Sequence, residues 1–261
     1  MDRQQKIVLS VLVLGTLMGA LDSTIVILAF PVIADGLHAD LLSTMWIILV
    51  YLLIMASLTV PLGRLGDLFG RPRMFNLGFG LFTVSSFFCG ISSSITMLIL
   101  FRGVQALGGA LLESNSGAII ADIFPPNARG AAYGYNSMGW TVGATLGIVL
   151  GGIITTFAGW EYIFFINVPI GIVALYLGLR YVKGAARTQA SLDLPGMALL
   201  TIALSLISYA AIDFAGNGLT TWSTIVAPLG VFFLLVFAWH EVRTRTPMID
   251  FESLNRPILK Y

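Results

Sequence analysis

Gly63-Arg64-Leu65-Gly66-Asp67-Leu68-Phe69-Gly70-Arg71-Pro72-Arg73 sets three glycines, one carboxylate and three arginines between two uncharged runs, residues 43–62 and 74–93. Each run is about 20 residues, the length a helix needs to cross the hydrocarbon of a bilayer. The cluster therefore reads as a short polar reversal joining two membrane spans. Its glycines permit a tight turn and close helix approach, and Asp67 and Arg71 stand at the i, i+4 spacing that allows an ion pair. Asp122 and Arg129, further along, can extend the pair to a charge network. The plainer reading is a loop that only obeys a charge rule, and the glycine and charge spacing speaks against it.

Working outward, the same alternation repeats. The chain of 261 residues is 57% hydrophobic and 10% charged, with a mean hydropathy of +0.91, whereas a soluble domain carries about a quarter charged residues. An ordinary cytosolic enzyme is excluded. Apolar runs bounded by Gly, Pro or charge predict eight spans, at 7–32, 43–62, 74–93, 96–121, 131–157, 161–181, 195–214 and 222–242. The expected fold is all-α, a polytopic membrane protein. The first run follows Arg3 and Lys6 as a secretion signal would, but it continues unbroken to Pro31 and is read as a retained helix.

With the N-terminus inside, Arg3, Lys6, Arg64, Arg71, Arg73, Arg129, Arg180, Lys183, Arg187, Arg243, Arg245, Arg256 and Lys260 all fall on inner segments. Thirteen of the 14 basic residues lie on one side and the last, Arg102, lies within a span. This positive-inside bias predicts a multi-pass protein of the plasma (inner) membrane with both termini cytoplasmic. Trp46, Trp160 and Trp222 fall at outer boundaries and Trp239 at an inner one, where amphipathic rings anchor. Trp140 lies inside the fifth span, as packing or as a cavity wall. The polar break from Lys183 to Ser191 divides the chain into a six-helix unit (1–182), a cytoplasmic linker (183–194), a helix pair (195–242) and a cytoplasmic tail (243–261).

A net charge of +1 gives no electrostatic reason to expect nucleic acid. Cys89 is alone in an apolar stretch, so no disulfide framework or Cys/His metal spacing arises. His38 and His240 lie too far apart along the pattern to share a metal, and neither is given a role.

Ionisable groups within hydrocarbon cost at least a few kcal/mol each, so those that remain are functional candidates. Asp22 lies well inside span one, and Arg102 and Glu113 lie in span four. Eleven residues separate Arg102 from Glu113, close to three turns, which places them on one helix face. Asp22 and Arg102 read either as a buried pair fixing two helices or as a proton site whose carboxylate responds to burial and to the guanidinium. All three are expected to line one aqueous cavity. Asp213, near the outer end of span seven, reads as facing headgroups. In span five Gly139, Gly143, Gly147 and Gly151 recur every four residues and Gly152 follows, a spacing that makes a groove for close helix contact.

Residues 63–73 resemble the signature between the second and third helices of the major facilitator superfamily. Leu21-Asp22-Ser23-Thr24-Ile25-Val26 resembles the first-helix motif of its fourteen-helix drug:proton antiporter branch. Arg102-Gly103-Val104-Gln105-Ala106-Leu107-Gly108-Gly109 is similar to the fourth-helix motif, and the span-five glycines to the antiporter motif. Trp160 with Ile163-Phe164-Phe165-Ile166-Asn167-Val168-Pro169-Ile170-Gly171 is similar to the start of the branch's sixth helix. The resemblance implies a six-helix N-domain built as a three-plus-three inverted repeat, followed by two further transmembrane helices. It implies a proton-coupled exporter of small lipophilic or amphipathic solutes, working in the lipid bilayer without a cofactor or metal. Asp22, Arg102, Gln105 and Glu113 would line the proton-coupling and substrate cavity. Gly63, Gly66, Asp67, Gly70, Arg71 and Arg73 would form a cytoplasmic latch that in the family also touches the eleventh helix.

Departures from the pattern are specific. Ile148 stands where the antiporter motif usually has proline, so a straighter helix five is expected. Ala106 stands where glycine is common, and Glu113-Ser114 where the branch often has an apolar residue and proline. The chain ends at Tyr261, where the family's ninth helix would begin, so a second six-helix domain is expected to be missing. Either a separate C-terminal half or a parallel homodimer would then close the cavity. The alternative is a non-transporting membrane interaction or sensor protein that keeps the fold.

Overall fold

The computed structural model describes residues 1–183 and 193–244. Most of the expected linker, with Arg187, and most of the expected tail, with Arg245, Arg256 and Lys260, lie outside the described residues. The described residues hold no strand. Their helices are α1 (Arg3–Gly36), α2 (Leu41–Phe69), α3 (Arg71–Gly90), α4 (Ile95–Ile123), α5 (Pro126–Phe157), α6 (Tyr162–Phe165), α7 (Asn167–Tyr181), α8 (Leu194–Asn217) and α9 (Thr221–Arg243).

Among the described residues seven helical segments are long and apolar enough to cross a membrane, with Tyr162–Tyr181 counted as one, and the chain is a multi-pass membrane protein. Eight were expected. The difference is α3, whose 20 residues give a span's length, ~30 Å, but whose apolarity is diluted by Asn76, Thr83, Ser85 and Ser86, all buried inside the bundle. Protein rather than lipid surrounds much of this helix, which is why it tolerates them.

Helix starts are set locally. Asp2 and Gln5 form a reciprocal cap on α1, Asp40 accepts from the Ser43 amide at α2, and Ser94 accepts from the Met97 amide at α4. Each such cap is worth about 1 kcal/mol. Pro126 opens α5, where its missing N–H costs nothing. The expected polar loop at 63–73 is instead almost entirely helical: α2 runs to Phe69 and α3 starts at Arg71. Gly70 alone reverses the chain, with φ +103, a backbone region that favours glycine.

The chain forms two compact units, Met1–Thr188 and Gln189–Tyr261. In the first, α1 packs along α5 and α2 along α4, while α3 lies against α4 and α7. Each half thus sends its first helix to the second helix of the other half, the interlock of a three-plus-three inverted repeat. Its core falls into two clusters, one around Leu12, Met18, Phe75, Phe79 and Phe82, the other around Leu21, Ile25, Ile33, Leu98 and Phe164. Trp160, expected as an interfacial anchor, is buried in the second cluster with its ring edge-on to Phe164.

In the second unit α8 and α9 close on Leu200 and Phe237. Asp193 caps α8 through the Gly196 amide, and the His240 ring Nε2 lies 2.9 Å from both of its oxygens. Near the other end Asp213 takes hydrogen bonds from Asn217 and from the Thr220 hydroxyl.

Candidate functional site

A polar network sits where the two core clusters of the first unit meet. The Asp22 carboxylate on α1 is fully buried and receives three N–H groups: Arg102 Nη1 at 2.5 Å, Gln105 Nε2 at 2.9 Å and Asn167 Nδ2 at 2.9 Å. Arg102 also donates to Gln105 Oε1 at 2.7 Å and to the Ile47 carbonyl at 3.3 Å. Its guanidinium lies over the Tyr51 ring at 4.3 Å and the Phe164 ring at 5.7 Å. Gln105 passes the chain on to the Ser86 hydroxyl at 2.7 Å, and Ser86 donates to the Phe82 carbonyl. Cys89 stands beside it, its sulfur 3.8 Å from Gln105 Oε1.

Local sequence explains the convergence. Arg102 and Gln105 are three apart on α4 and so share a face. Asn167 is delivered by the break between α6 and α7 at Ile166. Pro169 contributes to that break, since it has no N–H to offer the Phe165 carbonyl. A buried ion pair gains little unless its remaining hydrogen-bonding groups are also satisfied. Here Asn167, Gln105 and the Ile47 carbonyl do that, tying α1, α2, α3, α4 and α7 to one carboxylate.

Glu113 does not join them. It is exposed and has no ion-pair or hydrogen-bond partner among the described residues. With Trp140, Thr16, Asn136, Ser137 and Thr141 it lines a recess between α1, α4 and α5. Trp140, 46% exposed, forms a wall of that recess.

The charge cluster at the ends of α2, α3 and α4 closes on Arg71. Its guanidinium meets Asp67 at 2.8 Å, Asp122 at 2.7 Å and the Ala118 carbonyl at 3.3 Å. Partial burial disfavours the Arg71 charge, but the Asp67 and Asp122 carboxylates outweigh it and hold its pKa above the ordinary arginine value. Arg64 approaches Asp67 at 3.8 Å, whereas Arg129 turns away to cap α4 through the Phe124 and Ala121 carbonyls. Arg73 pairs with no carboxylate among the described residues, its chain lying against Gly70. Gly63 faces Ser114, and at Gly66 the Asn115 carboxamide oxygen fills the space a Cβ would need.

The α5 glycines meet α1 in register. A Cβ on Gly139 would come within 3.1 Å of the Val13 carbonyl oxygen, and one on Gly151 within 2.6 Å of that of Ile25. Gly143 and Gly147 press on Leu17 and Leu21 in the same way. Thr24 donates across the seam to the Ala144 carbonyl at 3.0 Å. Gly152 stands outside it, with only Leu28 at 3.6 Å.

Sequence reasoning brought out Asp22, Arg102 and Gln105 and missed Asn167, Ser86 and Tyr51. An amide or hydroxyl within a span is a weak signal, because a helix carries it at little cost. The usable clue for Asn167 was its place two residues before Pro169.

Comparison with known proteins gives concordant results. The chain is 34% identical to the riboflavin transporter RibZ of Clostridioides difficile (strain 630), over 95% of this chain and 54% of that one. It is 35% identical to the tetracenomycin C resistance and export protein of Streptomyces glaucescens, over 88% of this chain and 39% of that one. Against the multidrug resistance protein Stp of Mycobacterium tuberculosis (strain CDC 1551 / Oshkosh) identity is 34%, over 96% and 47%. The chain thus spans about half the length of the curated relatives it matches. A solved peptide transporter, POT in complex with sulfate, superposes with a TM-score of 0.64 at 17% identity, over 93% of this chain and 56% of that one. That likeness concerns the fold alone. Residues 12–249 match the family model described as Major Facilitator Superfamily. With the interlocked helix pairs and the relatives in agreement, the chain belongs to the Major Facilitator Superfamily, whose members here are membrane transporters and not enzymes.

Proposed function

We propose that this chain forms the N-terminal half of a proton-coupled secondary transporter that exports small lipophilic or amphipathic solutes. In this reading residues 1–182 are the N-terminal transporter domain and 195–242 a linking helix pair, with residues 183–194 and both ends of the chain cytoplasmic in a plasma membrane. A C-terminal half or a second copy of the chain closes the cavity. The observation that carries the reading is the Asp22 carboxylate, buried yet held by Arg102 and Gln105 from α4 and by Asn167 from α7.

Protonation of Asp22 would cancel its charge while leaving the amide contacts available. Arg102 would keep Gln105, the Ile47 carbonyl and the Tyr51 face, so the guanidinium is not stranded when the pair is neutralised. The attachment of α1 to α4 thereby depends on one proton. Coupling follows if the proton-loaded and solute-loaded forms favour different packings of these helices. The named transport and export relatives support a solute-moving role.

The test is Asp22→Asn, which keeps size and hydrogen bonding but cannot titrate. In proteoliposomes with an imposed proton gradient, the variant is expected to bind solute and to lose gradient-driven movement. Undiminished driven transport would remove Asp22 from the coupling step.

A further inference from the structure

A carboxylate that gains a proton turns from a pure acceptor into a donor, so one of its partners must then offer an acceptor. At Asp22 the choice is narrow. Its Oδ2 takes Arg102 Nη1, and its Oδ1 takes Gln105 Nε2 and Asn167 Nδ2. A guanidinium has donors only, which disfavours a proton on Oδ2. Gln105 is held at both ends, because its Oε1 receives Arg102 and its Nε2 also serves the Ser86 hydroxyl. Turned over, it would set its own N–H groups against those of Arg102.

Asn167 is bound differently. Its side chain is fully buried, yet the bond to Asp22 is its one hydrogen bond among the described residues, and its Oδ1 has no partner there. The carboxylate alone fixes the present orientation, since the reverse would set oxygen against oxygen. The far end of the amide gains nothing either way, so the charge on Asp22 decides which end faces it. The ionisable groups gathered around Asp22 are Arg102 on α4, Tyr51 on α2 and Cys89 on α3, with Glu113 acting on Tyr51 from farther along α4. A phenol and a thiol ordinarily lose their protons at ~10 and ~8.5, so in acid the network has one titrating member, Asp22. From α7 comes only the neutral Asn167, and α5 and α6 make no hydrogen bond or ion pair to Asp22 among the described residues.

We propose that Asn167 is a positioning residue that reads the charge of Asp22: a proton taken up from water forms an O–H bond at Asp22 Oδ1, and the Asn167 carboxamide turns over to accept that hydrogen with its own Oδ1. Asp22 Oδ2 then remains a carbonyl acceptor for Arg102, and Gln105 Nε2 keeps Ser86, so no donor of the network is left facing another. The inference deepens the proton reading of Asp22 and rests on it. Its mechanical content is that the link from α1 to α7 survives in both charge states, whereas the link from α1 to α4 gives up its charge assistance. Loosening by the proton is thereby directed at α1 and α4. The helix break at Ile166 brings a reversible amide to the one oxygen that needs it.

Acid-minus-neutral infrared difference spectra of the chain in lipid nanodiscs test this, with asparagine carrying carbon-13 at its side-chain carbonyl. Two bands are identified by subtraction: the protonated carboxyl stretch that Asp22→Asn lacks, and the labelled amide stretch that Asn167→Leu lacks. Asn167→Ser serves the second subtraction should the leucine variant not fold. The Asn167 stretch is expected to fall in frequency as the Asp22 carboxyl band grows, with the same pH midpoint, because its oxygen passes from no partner to a hydrogen bond. In Asp22→Asn the Asn167 stretch should no longer respond to pH, and without Asn167 the Asp22 carboxyl stretch should rise in frequency for want of an acceptor. A merely structural role for Asn167 moves neither band. An Asp22 carboxyl band with a static Asn167 stretch would overturn the inference and leave the proton reading standing, as would a shift of Gln105, labelled in the same way, in place of Asn167. Absence of the Asp22 carboxyl band at every pH the folded chain survives would overturn both.

Discussion

Arg102 divides its donors among Asp22, Gln105 and the Ile47 carbonyl while its plane rests on Tyr51. Removing the guanidinium alone leaves Asp22 as an uncompensated buried carboxylate, for which losses of ~3–5 kcal/mol are usual. Arg102→Met is therefore expected to melt lower than the double variant Arg102→Met/Asp22→Asn, which buries no lone charge. Unfolding followed by intrinsic fluorescence in detergent decides it, and equal midpoints would mean that the pair acts only as packing. Asn167→Leu removes one donor to the same carboxylate and should cost about 1.5–3 kcal/mol, as hydrogen bonds to charged groups do; a loss under ~0.5 kcal/mol would show that Gln105 and Arg102 suffice. Asp22 and Arg102 were legible in the sequence because charge inside an apolar run is conspicuous. The separation of Glu113 from them was not. Helical phase correctly puts Arg102 and Glu113 on one face, but they stand ~16 Å apart along the axis, and the helices that enclose Arg102 leave Glu113 open.

At the scale of elements, the seam between α1 and α5 makes a graded prediction. Gly147→Ala would place a methyl 2.5 Å from the Leu21 carbonyl oxygen, whereas Gly152→Ala meets only Leu28 at 3.6 Å. The first should destabilise by about 1–3 kcal/mol, the usual cost of overpacking. The second should be neutral or slightly stabilising, because alanine is the better helix former. Thermal melts of the two variants in the same detergent check the order, and equal effects would show that the seam relaxes freely. The four-residue repeat was readable from sequence, but its partner was not: nothing in the glycines announces that the backbone of α1 at Val13, Leu17, Leu21 and Ile25 fills the gaps. For Gly63 and Gly66 the sequence leaves turn and close helix approach both open, for a related reason. Glycine signals both turns and close packing, and contacts with Ser114 and Asn115 decide for packing.

For the whole molecule, the one-sided distribution of arginine and lysine predicts sidedness that labelling can test. Cys89 is buried, so the native background is low. Phe69 and Ser93 are exposed at opposite ends of the α2–α3 and α3–α4 connections. Ser93→Cys should react with an impermeant maleimide in intact cells, and Phe69→Cys only after permeabilisation; the reverse pattern would invert the topology. Hydropathy made the eight long helical runs legible, α3 at 74–93 included, but not the break at Ile166 that divides the sixth run into α6 and α7. The register of the α1–α5 seam also bears on how such a bundle can move. The two helices mesh like parallel racks with teeth four residues apart, ~6 Å, and any smaller slip drives backbone into backbone. They are therefore expected to travel as a single rod, with rocking confined to surfaces that lack teeth. Spin labels at Ile27 and Ile153, both exposed, should report one narrow distance that stays fixed between acidic and neutral buffer, and a broadened or shifted distribution would show the racks disengaging.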